Sequence, residues 1–292
     1  MRDPDSTHDA PTLYSVFHGT MADLTLPAVE RAARAGALVL LPVGVIEEHG
    51  PHLPLAVDTY VAIEFVRQVR DELARRDVAA LVAPPFYWGI NSITDAFPGS
   101  FTCRPSTMRA VLVDIFCSLQ RWGFRHIFAL NFHGDDQHYT TLAEAIQEAR
   151  HDHRAPVRLI LSGSEARNLG FAGDEKFLVV HNPVTGDAND DEHYPTELVE
   201  LHADAVETSF MARYYPQLVD LSRVQGLKAT AVTRADIPAW ERGGEEARRL
   251  APLGYVGDPA AIDLPGIQER VEWLVGCMAD AIAASLEGFP TC

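Results

Sequence analysis

Ala37-Leu38-Val39-Leu40-Leu41-Pro42-Val43-Gly44-Val45 runs directly into Ile46-Glu47-Glu48-His49-Gly50-Pro51-His52-Leu53-Pro54-Leu55-Ala56-Val57-Asp58. The first part is a short apolar run bounded by Gly36 and Gly44, the pattern of a buried strand. Asp58 then opens a helix to about residue 76, with Ala62, Phe65, Val66, Val69 and Leu73 on one apolar stripe. Between strand and helix lies a loop that holds two carboxylates and two imidazoles. Four possible metal ligands at the end of a buried strand point to hydrolytic metal chemistry rather than to packing.

Working outward, residues 22–35 read as a helix, 78–83 as a strand, 105–123 as a helix, 126–131 as a strand, 137–151 as a helix and 157–162 as a strand. Pro105 stands near the first turn of its helix and Gly123 at its end. Residues 163–195 read as a long irregular stretch with an acidic section, 187–193; loops of that length are often lids or binding loops. Residues 196–210 read as a helix or a turn into one, and 265–286 as a final amphipathic helix. Strands alternating with helices imply a layered α/β domain with a largely parallel sheet. Ligands of such sheets bind beyond the carboxyl ends of the strands. Glu47 and His49 follow the first strand, Asn91 and its neighbours the second, and His133 the third, so three polar loops meet at one edge.

Composition narrows the function classes. A formal net charge of −17 disfavours nucleic acid and anionic membrane surfaces. The longest apolar run, residues 35–46, is too short to span a bilayer, and the polar N-terminus is unlike a signal peptide. The expectation is a cytoplasmic protein, with residues 1–12 as a loose leader and 13–292 as one domain. Cys103, Cys117, Cys277 and Cys292 are scattered and do not form a zinc-ribbon set.

Taken singly, each candidate ligand has an ordinary explanation. His49 and His52 can bond backbone in a turn, Asp58 can cap a helix, and His133 can satisfy a loop carbonyl. Taken together, Glu47, His49 and Asp58 with the strand-end pair His133 and Asp135 supply enough oxygen and nitrogen donors for two divalent ions. Two later segments complete the set: Asn131-Phe132-His133-Gly134-Asp135-Asp136 and His202-Ala203-Asp204-Ala205-Val206-Glu207-Thr208-Ser209.

The run Glu47-Glu48-His49-Gly50-Pro51-His52-Leu53-Pro54, with Asp58, resembles the signature of the creatininase (creatinine amidohydrolase) family. Phe97-Pro98-Gly99, Asn131-Phe132-His133-Gly134 and the His202 to Ser209 segment fall in that family's order, so the resemblance covers about two thirds of the chain. It implies a three-layer α/β sandwich with a mostly parallel central sheet. It also implies a binuclear amidohydrolase using zinc, manganese or iron, assembled as a homo-oligomer, often a hexamer. In that scheme Glu47 and His133 bind one metal, His49 the other, and Asp58 bridges. Asp135 occupies the position of the remaining ligand of the second metal, with Glu207 the other candidate. His202 is placed to donate a proton to the departing nitrogen, and Glu48 stands beside the metals rather than on them.

Departures from creatininase bear on the substrate. Gly134 stands where creatininase has Tyr, and Leu198 where it has a gating Trp. Asn91 and Thr94, flanking Ser92, replace a Ser and a His that many relatives carry. Asn91, Ser92, Gly134 and Leu198 are therefore the candidate substrate contacts, and creatinine itself is not the expected substrate. The expected reaction is cleavage of a non-peptide C–N bond in a small molecule, an amide, cyclic amide or formamide, by a metal-activated hydroxide. The alternatives are hydrolysis of a lactone, cyclic ketone or peptide on the same metal core, or a non-catalytic binding protein with the same fold.

Overall fold

The computed structural model describes residues 15–182 and 199–286. The expected leader, the acidic section 187–193 and Leu198 lie outside the described residues. After a single 3-10 turn at Met21–Asp23, the chain forms α1 (Leu26–Arg34), β1 (Leu38–Val43), α2 (Val57–Ala74), β2 (Ala80–Val82), α3 (Pro105–Arg121), β3 (Ile127–Asn131), α4 (Asp136–Asp152), β4 (Val157–Ser162), α5 (Gly163–Asn168) and β5 (Leu178–His181). The C-terminal part holds α6 (Ala205–Tyr214), α7 (Leu221–Val224), α8 (Ile237–Glu241), α9 (Gly244–Leu250) and α10 (Leu264–Leu286).

The strands form one sheet in the order β2-β1-β3-β4-β5, and every neighbouring pair is parallel. Side chains alternate across it, as strand geometry requires. Val39, Leu41 and Val43 of β1 pack with Leu112 and Phe116 of α3 and Leu142 and Ile146 of α4. Leu38 and Leu40 pack on the other face with Ile63 and Val66 of α2, Phe210 of α6 and Val271 of α10. The result is a three-layer α/β sandwich, which leaves the carboxyl edge of the sheet for polar groups. No described helix is long and apolar enough to cross a membrane.

Two expectations need correction, and a further region adds structure that was not read. The first helix begins at Leu26 instead of residue 22, because Pro27 sits in the first turn, where a missing N–H costs nothing, and starts a new helix. The stretch read as irregular from residue 163 holds α5 and β5; four residues of β5 are too few for a period to register. Between α6 and α10 the chain builds short helices around a satellite core of Val232, Trp240, Ala247, Ala251 and Val256, which carried no assignment from sequence.

Candidate metal centre

The loop after β1 is held by its backbone. Glu47 N donates to Leu55 O (2.8 Å), Thr59 Oγ1 to Val45 O (2.8 Å) and Glu48 N to Ser100 Oγ (3.1 Å). Gly44 is required here, since a Cβ at that position would lie 2.8 Å from the carbonyl oxygen of Asp58. That close approach brings the strand end against the first turn of α2. Asp58 lies within this turn; the N-cap is Ala56 and makes no side-chain cap, so the Asp58 carboxylate is not spent as one.

Asp58 turns one oxygen to each of two histidines. Oδ1 is 3.5 Å from Nε2 of His49, and Oδ2 is 3.3 Å from Nδ1 of His133. The same His133 nitrogen is 3.1 Å from Glu47 Oε1, and the same His49 nitrogen is 3.6 Å from Glu207 Oε2. Among the described residues, three groups could each hold a metal ion: Glu47, Asp58 and His133; His49, Asp58 and Glu207; and Glu47, His49 and His202.

The other nitrogen of each ring is fixed by a carbonyl. His133 Nε2 pairs with Ile90 O (2.9 Å) and His49 Nδ1 with Glu47 O (3.2 Å). Each ring is therefore anchored at one nitrogen and turns the other toward the carboxylates, the arrangement that metal-ligating imidazoles adopt. His202 follows the same rule, with Nε2 on Glu48 O (2.8 Å) and Nδ1 facing Glu47 Oε1 at 4.0 Å.

Whether these residues suit a metal is tested by their unmet atoms. His49 Nε2 and Asp58 Oδ2 are buried and have no hydrogen-bond partner. Buried polar atoms are rarely left so, and a divalent cation in each of the two sets that Asp58 faces would satisfy them. A set of imidazole and carboxylate donors fits zinc, manganese or iron.

The electrostatics agree. Burial pushes the His49 imidazole toward neutrality, but Glu207 and Asp58 outweigh it and hold its pKa well above the ordinary value. His133 is raised well above it too, burial being overcome by Glu47 and Asp58. Burial works against ionised Asp58, yet His49 and His133 drive its pKa down, and His49 does the same for Glu207. His202 is lowered by burial and by His49, raised by Glu47 and Glu48, and stands at about 9. These are carboxylates held ionised around positive charge, the field that a cation would enter.

Glu207 comes from the first turn of α6. Its Oε2 accepts Ala203 N (2.6 Å), and Asp204 caps the helix through Val206 N and Glu207 N. Ala203 adopts φ +47°, a left-handed conformation costing roughly 1–2 kcal/mol for a residue with a Cβ.

Asp135 is turned elsewhere. Its Oδ1 caps α4 through His138 N (2.9 Å), and its Oδ2 accepts both the N–H and the hydroxyl of Ser92 (2.6 Å each). It belongs to none of the three ligand groups, so beside His49 and Asp58 the acid is Glu207. Asn91 is fully buried, with Nδ2 on Ile46 O (3.3 Å) and Phe101 O (2.6 Å). Asn91 and Ser92 thus bind neighbouring loops. Gly134 is exposed beside His133, with open space where a Cβ would be.

Several contacts had no sequence signal. Thr94 Oγ1 donates to Glu47 Oε2 (2.5 Å), and His52 Nε2 pairs with Thr208 Oγ1 (2.9 Å). Trp240 lies against His202, with ring centroids 5.7 Å apart. Gly254 passes so near Glu48 that a Cβ would lie 1.9 Å from Oε2. Thr94 was legible only as a departure from relatives in the loop before Phe97. Trp240 and Gly254 belong to no motif that connects them to the strand ends.

Donors of this kind at the carboxyl edge of a parallel sheet place the protein among the metal-dependent hydrolases. Comparison with known proteins narrows the class. The family model Creatininase, described as creatinine amidohydrolase, matches residues 22–282, and the chain belongs to that family of metal-dependent amidohydrolases. A mycofactocin precursor peptide peptidase of Mycolicibacterium smegmatis is 36% identical over 247 residues, 84% of this chain and 84% of that protein. Creatinine amidohydrolase of Pseudomonas putida is 30% identical over 223 residues, 72% of this chain and 76% of that one. A solved structure of creatininase with manganese is 25% identical, with a TM-score of 0.68 over 94% of this chain and 99% of that chain.

Proposed function

We propose that the protein hydrolyses a C–N bond of a small amide, cyclic amide or formamide with the help of two divalent ions, zinc, manganese or iron. One observation carries this reading: the two oxygens of Asp58 face two different histidine–carboxylate sets. Glu47 and His133 Nδ1 would hold one ion, His49 Nε2 and Glu207 the other, and Asp58 would span both. When bound, such a pair lowers the pKa of water from ~15.7 to about 7 and polarises a carbonyl.

The chain's own residues do the rest. His202 keeps its Nε2–H on Glu48 O and presents Nδ1 toward the site, where it delivers a proton to the departing nitrogen. General acid help of this kind contributes ~10²–10⁴-fold. Thr94 holds the second oxygen of Glu47, which keeps the first turned to His133. A homo-oligomer belongs to the same proposal and is tested by light scattering.

A second reading, cleavage of a peptide bond, has two supports. The 36% identical relative is named as a peptidase, and the open space at Gly134 leaves room for a longer substrate beside His133. The test is a product assay on the metal-loaded protein with panels of small amides, peptides, lactones and cyclic ketones. Turnover of a small amide, lost at least ~10²-fold in His202→Ala, supports the first reading. Release of amino acids from peptides alone supports the second. Turnover of lactones or ketones alone, or of nothing with both ions bound, overturns both.

A further inference from the structure

The segment from α8 to Val256 is tied at both ends to the loops of the metal centre. At its start, Gly243 (φ +67°) passes so close to the 92–94 loop that a Cβ would lie 2.1 Å from Ser92 O. Gly244 N then donates to Ile93 O (3.0 Å), and Arg248 reaches Ala96 O (2.9 Å). At its end, Val256 pairs with His202, Val256 N donating to His202 O (2.8 Å), and Gly254 lies against the Glu48 carboxylate. Just before the first anchor, α8 presents Trp240, 5% exposed, to the His202 ring. Among the described residues, the imidazole of His202 has two ring neighbours, His49 at 4.4 Å with a 40° tilt and Trp240 at 5.7 Å with a 39° tilt.

A hydrogen bond at one nitrogen anchors a ring, and packing against its face sets the remaining tilt. His202 is anchored at Nε2 by Glu48 O, with Glu48 Oε1 3.4 Å from the same nitrogen, and its Nδ1 stands 4.0 Å from Glu47 Oε1, beyond hydrogen-bond distance. A flat, buried aromatic neighbour supplies the missing restraint, since offset contacts between rings favour particular tilts. We propose that Trp240 is a positioning residue for His202, its indole holding the imidazole so that Nδ1 faces the metal site. The proposal rests on the reading of His202 as proton donor. It makes the C-terminal segment part of the catalytic apparatus, not only a cover for it.

The test uses the zinc-loaded full chain. Trp240→Leu keeps an apolar side chain in the satellite core but removes the flat face; Trp240→Phe restores a ring. Expected for Trp240→Leu is a loss of kcat of about 10- to 100-fold, part of what a general acid supplies, with KM and metal content near wild type. Trp240→Phe should recover most of it. In a His202→Gln background Trp240→Leu should cost nothing further, because the residue acts through His202. A substrate-free readout runs beside these: the NMR signals of the His202 ring, assigned by their loss in His202→Gln. They should shift and broaden in Trp240→Leu and stay sharp in Trp240→Phe. Unchanged His202 signals in Trp240→Leu, or an undiminished effect in the His202→Gln background, would overturn the proposal. A wild-type protein that turns over nothing removes the hydrolase reading, while the His202 signals still decide the role of Trp240.

Discussion

Glu207, on the first turn of α6, sets its Oε2 3.6 Å from Nε2 of His49. Asp135, only two residues from His133 in sequence, gives its oxygens to His138 N and Ser92. Glu207→Ala should therefore lose about one of two ions. Asp135→Ala should keep both and lower stability by about 1 kcal/mol, the usual worth of an N-cap. Elemental analysis with denaturant melts checks both. Loss of metal from Asp135→Ala at full fold would return Asp135 to the site.

Proton release on metal binding follows from the raised imidazoles. His49 and His133 sit well above the ordinary value of 6.5, so each keeps its proton at neutral pH until an ion expels it. Apparent metal affinity should go on rising with pH beyond 6.5 instead of levelling there. Calorimetry at pH 7 in buffers of different ionisation enthalpy should find about one to two protons released per chain. No release at that pH would contradict the geometry of the two imidazoles.

His52 shifts in the opposite direction. Burial first, then neighbouring His49, lowers its pKa from 6.5 to about 4. Between those values the unfolded chain binds a proton that the folded chain refuses, so folding stability drops as the pH is lowered. The contribution of His52 is full above pH 6.5 and is lost as pH falls through about 4. Denaturation midpoints at pH 7 and 4.5 should converge in His52→Gln relative to wild type. An unchanged difference would show that His52 is not the group responsible.

Gly254→Ala probes the seat of the C-terminal segment. The position has φ +72°, and the added Cβ would overlap the Glu48 carboxylate. The left-handed backbone alone costs roughly 1–2 kcal/mol with a side chain, and Glu48 must also move. A lower melting midpoint together with reduced turnover is expected. Wild-type values for both would mean that the segment does not press on Glu48.

The fold and most of the candidate ligands were legible for a local reason. β1, the loop and the start of α2 are contiguous, so an apolar run, Glu47, His49 and Asp58 appear together in one stretch. The same holds for β3 with His133. Length hid β5, whose four residues span only two periods. Spacing could not choose between Asp135 and Glu207, because both follow a histidine of the site. The choice depends on where α4 begins: its first turn consumes Asp135 as a cap, and Ser92 arrives from another loop. Trp240 was invisible because its role exists only once the segment after α7 folds back over the sheet edge. Nothing in its immediate neighbours carries that information.

The most direct test of the binuclear reading is metal content per chain in wild type and Asp58→Ala, by elemental analysis after loading with zinc, manganese or iron. Asp58 faces both histidine–carboxylate sets with one oxygen each, so its loss should empty both. The account predicts about two ions in wild type and close to none in the variant, with activity lost in step. One ion tightly retained by Asp58→Ala at full activity would contradict it.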